Sequence, residues 1–136
     1  MRGAWLLLLL LSTGCYPIYK QLQRDSSATV LDEKGAPLVG AEVSLISSTY
    51  PYGFESNRCI LVTDASGLAQ FEGKREWRWE AFFIHGAQEF FWNWCVEKEG
   101  YQTHQTAWTN AGAFVEEVTV SLTPGDSTPC ARPPER

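Results

Sequence analysis

Histidine is nearly missing from this chain, and that scarcity narrows its chemistry. His85 and His104 stand nineteen residues apart, without the close ligand spacing of a zinc site. A metal centre would need both, plus a carboxylate such as Glu80 or Glu97 delivered by the fold. No serine sits in a nucleophile elbow, no glycine-rich phosphate loop follows a strand, and no dinucleotide, haem or iron–sulfur signature occurs. Asp32 and Asp64 are single carboxylates in short turns, too few ligands for calcium. The expectation is a protein that is not an enzyme and uses no cofactor or metal. Basic runs are absent as well. Eleven Lys and Arg face sixteen Asp and Glu, for a net charge of -5, and only Lys74, Arg75 and Arg78 cluster. Nothing there neutralises a row of phosphates, so nucleic acid is not an expected partner. Helical periodicity is missing throughout; a single helical turn between Glu76 and His85 is the most the pattern allows.

What is present begins at the N-terminus. Met1, Arg2 and an apolar run from Ala4 to Leu11 lead into Ser12-Thr13-Gly14-Cys15. The run is about half a membrane-spanning length, which favours export and cleavage over a retained helix. Thr13 and Gly14 are small enough for a peptidase cleft, and Cys15 offers a thiol for lipid transfer. The segment resembles the lipobox of bacterial lipoproteins, with Ser12 where Leu, Val or Ile is usual. That resemblance implies a signal peptide over 1–14 and a lipidated, membrane-anchoring Cys15. Tyr16 stands where the inner-membrane retention signal has Asp, which points to the outer membrane facing the periplasm. Residues 15–27 read as a flexible linker, and 124–136, rich in Pro, Gly and Ser, as a disordered tail.

Three other cysteines remain: Cys59, Cys95 and Cys130. In an oxidising compartment at most one intramolecular pair forms among them. Cys59 and Cys95 lie in strand-like segments and Cys130 in the tail, so Cys59–Cys95 is the favoured bridge. Cys130 with either partner is the alternative, and buried free thiols a third.

From Ala28 onward the apolar residues repeat every second position between closely spaced turns, the pattern of an all-β sandwich. Strands are expected at Ala28–Asp32, from Ala41, at Cys59–Thr63, Leu68–Phe71, Glu89–Lys98, Gln102–Thr109 and Val115–Leu122. Ser48–Arg58 reads as a loop, and Asp64-Ala65-Ser66-Gly67 as the turn of a hairpin joining its two flanking strands. Three segments carry a resemblance: Val30 to Val43, containing Asp32-Glu33-Lys34-Gly35 and Pro37-Leu38-Val39-Gly40-Ala41; Thr63 to Phe71; and Gly100-Tyr101. In this order and spacing they resemble the carboxypeptidase regulatory-like domain over roughly residues 28–123. The resemblance implies a seven-stranded, transthyretin-like (prealbumin-like, Ig-like) β-sandwich and no catalytic residues. The chain departs from the pattern between Gly73 and Gln88, where it carries an insertion.

Around that insertion, Trp77, Trp79, Phe82, Phe83, Phe90, Phe91, Trp92 and Trp94 are eight of the chain's eighteen aromatic residues. Packing explains most of such a concentration in a small domain. Trp77, Trp79, Phe82 and Phe83 are the candidates for a partner-binding surface, because Trp77 and Trp79 alternate with Arg78 and Glu80 as on a strand with one apolar face. The function expected is a membrane-anchored cell-envelope lipoprotein acting as a non-catalytic binding or structural module, its partner an envelope protein or glycan. The alternative is a glycan-binding or glycan-modifying protein using Trp77 to Phe83.

Overall fold

The computed structural model describes residues 15–50, 53–81 and 88–130. Among these there are ten strands and no helix: β1 (Cys15–Gln23), β2 (Ser26–Leu31), β3 (Glu42–Tyr50), β4 (Phe54–Val62), β5 (Leu68–Phe71), β6 (Lys74–Ala81), β7 (Glu89–Glu97), β8 (His104–Gln105), β9 (Thr109–Asn110) and β10 (Glu117–Ser121). They form a two-stranded ribbon β1-β6, a three-stranded sheet β10-β2-β5, and a larger sheet β4-β3-β7-β8 in which β9 also pairs with β7. The β10–β2 pair is parallel and the other pairings are antiparallel.

The core lies where the two larger sheets face each other. Alternation turns Ala28 and Val30 of β2, Ala69 and Phe71 of β5 and Val120 of β10 inward from one side. Val43 and Leu45 of β3 and Trp92, Trp94 and Val96 of β7 meet them from the other. Phe71 meets the Trp94 ring edge-on at 5.4 Å, and Phe114 lies over Trp94 at 5.7 Å. Each buried indole N–H has an acceptor, Leu22 O for Trp92 and Val115 O for Trp94, both at 3.1 Å. Burial of these rings therefore leaves no polar atom stranded.

The expected hairpin at Asp64–Gly67 does not form. β4 pairs with β3 and β5 with β2, so the turn carries the chain from one sheet to the other. The local chemistry of the turn is as expected: Asp64 Oδ1 accepts from Ser66 Oγ, Ser66 N and Leu68 N. These bonds, the Ser66 hydroxyl first, hold the Asp64 carboxyl below the usual carboxylate range. What diverts the strands is nonlocal. Thr63, buried, donates its hydroxyl to Leu38 O at 2.6 Å and accepts from Ala41 N at 2.9 Å, while Val30 N donates to Gly67 O at 2.8 Å.

Ser48–Arg58 is mostly strand rather than loop. β3 runs to Tyr50 and β4 starts at Phe54, with a bulge between Ser47 and Ser48. Gly53 lies in the turn before β4, Pro51 lies outside the described residues, and polar side chains of the segment bond across the ladder, Ser56 Oγ lying 3.1 Å from Ser47 Oγ. The expected strand at Gln102–Thr109 is two short pairings, and the last strand starts at Glu117, leaving Val115 exposed.

The disulfide is Cys95–Cys130, and Cys59 is free. Register explains why Cys59–Cys95 cannot form. Leu45 of β3 lies level with Cys59 on one side and Trp94 on the other, so Cys59 shares the inner face. Cys95, one residue on and level with Ser44, points to the outer face. The two are also separated by the whole of β3, about 10 Å at ordinary strand spacing and beyond disulfide reach. Cys130 reaches Cys95 because residues 124–130 are an ordered strap. Tyr101 bridges Pro124, Thr128 N donates to Thr103 Oγ1 at 3.0 Å, and Cys130 N donates to Glu97 Oε2 at 2.6 Å.

Candidate functional site

Residues 15–23, expected as a leash, form β1 instead, and its partner is the strand that carries the aromatic candidates. The pairing runs Cys15↔Ala81, Tyr16↔Glu80, Pro17↔Trp79, Ile18↔Arg78, Tyr19↔Trp77, Lys20↔Glu76 and Gln21↔Arg75. These two strands continue a pairing that already exists in the three-stranded sheet, where Ser26 lies opposite Phe71. Between the two stretches the chain passes Arg24-Asp25 on one side and Glu72-Gly73 on the other, and Gly73 N donates to Asp25 Oδ1 at 2.8 Å. A Cβ at Gly73 would lie 2.7 Å from Asp25 Oδ2 and 3.1 Å from Asp25 N, so a larger residue would have to displace the Asp25 carboxylate.

Alternation gives the ribbon two unlike faces. The inner one docks on the domain. Lys20 forms an ion pair with Glu80 at 2.6 Å, donates to Gln88 O and stands over the Phe90 ring at 5.3 Å. At the ribbon's base Gln23 Nε2 donates to Glu72 O at 2.8 Å, and Arg24 pairs with Glu116 at 2.5 Å. The outer face carries Cys15, Pro17, Tyr19 and Gln21 from β1, and Arg75, Trp77 and Trp79 from β6. Trp77 is 71% exposed, Trp79 72% and Tyr19 53%. The Tyr19 and Trp77 rings meet across the ladder at 5.2 Å between centroids. Pro17 is tolerated because both strands of a two-stranded ribbon are edges.

The structure thus brings Cys15, Trp77 and Trp79 onto one surface and adds Tyr19 and Pro17, which sequence reasoning missed. Phe82 and Phe83 lie outside the described residues, as does His85. Phe90, Trp92 and Trp94 belong to the core. The signal that could have found β1 was the apolar content of Tyr16-Pro17-Ile18-Tyr19 and Leu22, high for a solvated linker.

Elsewhere several polar groups among the described residues hold turns and ladders in place, whereas Asn93 Oδ1 is buried with no hydrogen-bond partner. Asp32 Oδ1 accepts from Lys34 N and Ala36 N, as Asp64 does in its own turn. Arg58 and Glu55 make a two-pronged pair at 2.7 and 2.8 Å, which raises the guanidinium pKa further. His104 is exposed on β8. Among the described residues no three His, Cys, Asp or Glu side chains come together as a metal site would require. A cleft of about 210 Å³ between ribbon and β4 is lined mainly by polar groups, including Asn57, Lys74, Glu76 and Arg78. It is smaller than ordinary small-molecule sites.

No protein-family model matches this chain. No curated protein matches its sequence.

Proposed function

We propose that this chain is a bacterial envelope lipoprotein, anchored by lipid on Cys15, whose transthyretin-like sandwich serves as a non-catalytic binding or structural module. The observation that carries the reading is Cys15 itself: an exposed free thiol opening a strand of the folded domain, directly after the apolar run and small residues of a lipobox-like leader. The Cys95–Cys130 disulfide supports an oxidising compartment. The sandwich assignment is supported by where the resembling segments fall. Val30 to Val43 and Thr63 to Phe71 form the joints at which the chain crosses between sheets, and Gly100-Tyr101 forms the turn that receives the C-terminal strap. Tyr16 after the cysteine supports outer-membrane placement facing the periplasm.

Cys15→Ser tests the anchor. The variant is expected to leave the membrane fraction for the soluble one with an unchanged near-ultraviolet circular dichroism spectrum, since Cys15 is exposed at a strand end. A variant that stays wholly membrane-bound would sink the reading. A second reading makes the ribbon a glycan platform, an envelope glycan lying on Trp77 and Trp79; two exposed rings alternating on one strand face favour it.

A further inference from the structure

The outer face of the ribbon is free of acidic side chains. In a protein of net charge -5, Cys15, Pro17, Tyr19, Gln21, Arg75, Trp77 and Trp79 include no acid and one cation. The acidic residues of β6, Glu76 and Glu80, sit on the opposite face, where Glu80 is neutralised by Lys20. The register also sets the distance of each ring from the anchor. At about 3.4 Å per residue, the Pro17–Trp79 pair lies about 7 Å from Cys15, the Tyr19–Trp77 pair about 14 Å and the Gln21–Arg75 pair about 20 Å.

We infer that this face rests on the membrane surface, with the ribbon lying along the bilayer and Trp79, Trp77 and Tyr19 in the headgroup layer. The inference rests on the lipoprotein reading of Cys15. A lipidated Cys15 must sit at the bilayer boundary, and it belongs to the same face as the rings. The polar layer on each side of the hydrocarbon is only about 5–8 Å deep, so an upright ribbon would hold Trp77 beyond it in water. Lying flat places all three rings where amphipathic aromatics are most stable, apolar body toward the acyl chains and N–H or O–H toward water. It also brings Arg75 to the lipid phosphates and turns Glu76 and Glu80 away from them. A glycan partner would use the rings but leaves unexplained why Cys15 shares their surface and why the acids are excluded from it. The rings then orient the domain on the membrane as well as adding to the hold of the acyl chains.

The test uses the full lipoprotein, extracted from membranes and reconstituted into phosphatidylethanolamine–phosphatidylglycerol vesicles whose acyl chains carry bromine, a contact quencher of indole fluorescence. Flotation with the vesicles and quenching of the native protein are expected, with most of the quenching lost in the Trp77→Phe, Trp79→Phe double variant and kept in Trp108→Phe. Flotation without quenching, or quenching that survives the double substitution, would overturn the membrane-lying ribbon and leave the lipid anchor standing. Failure to float would remove the anchor reading and this inference with it. Absence of lipid quenching together with a Trp77- and Trp79-dependent emission shift on adding purified cell-wall polymer would assign the face to glycan instead.

Discussion

Gly67 and Gly35 both hold a left-handed backbone, at φ of 74° and 81°, but they face different surroundings. A Cβ on Gly67 would lie 2.5 Å from Val30 O and 3.3 Å from Leu38 N, whereas nothing stands within 4 Å at Gly35. Val30 O is itself bonded by Leu38 N at 2.9 Å, so the obstacle is backbone that cannot swing aside. Gly35→Ala therefore incurs only the conformational cost, about 1–2 kcal/mol. Gly67→Ala adds a displaced sheet-to-sheet joint, and its urea midpoint is expected to fall well below that of Gly35→Ala. Equal midpoints would mean that the Gly67 turn is not tightly packed against β2.

At the scale of elements, the C-terminal strap is the part whose contribution is easiest to isolate. It covers Ile46 and Cys95 on the outer face of the larger sheet through Cys130, across a separation of 35 residues. A loop of that length restrains the unfolded chain by roughly 4 kcal/mol on the entropy model. Cys130→Ser is expected to lose up to this amount in denaturant unfolding, while Cys59→Ser, on the inner face and outside the bridge, leaves the disulfide intact. Mass spectrometry after alkylation without reductant checks the pairing directly: Cys59 is modified on unfolding and Cys95 and Cys130 are not. Labelling of Cys95 with protection of Cys59 would reverse the assignment.

Across the described molecule, buried and exposed aromatic residues have different work. Trp94 is 2% exposed, packed between Phe71 and Phe114. Trp79 is exposed, two register positions from Cys15. Trp94→Ala is expected to cost about 3–5 kcal/mol of stability, as for other large core aromatics. Trp79→Ala is expected within about 0.5 kcal/mol of the parent. Thermal and denaturant unfolding of the two variants separates them, and a large loss for Trp79→Ala would make the ribbon face structural.

Composition, turn chemistry and period-two alternation were enough to read an all-β chain with Glu89–Lys98 as a strand carrying Trp92, Trp94 and Val96 on one face. They also showed turns at Asp32–Gly35 and Asp64–Gly67, because each of those signals is contained within a few neighbouring residues. The candidate rings Trp77 and Trp79 were legible for the same reason, as an alternation inside one strand. Pairing partners were not. Joining β1 to β6 brings together residues about sixty positions apart, and a local pattern cannot state which distant edge a strand will meet. The same limit hid the departure of β4 and β5 to separate sheets and the opposite facing of Cys59 and Cys95. A strand's alternation defines two faces, and only the register of its neighbours decides which face is inside and what shares it. That register placed Cys15 beside Tyr19, Trp77 and Trp79, and turned a presumed leash into one half of an aromatic surface.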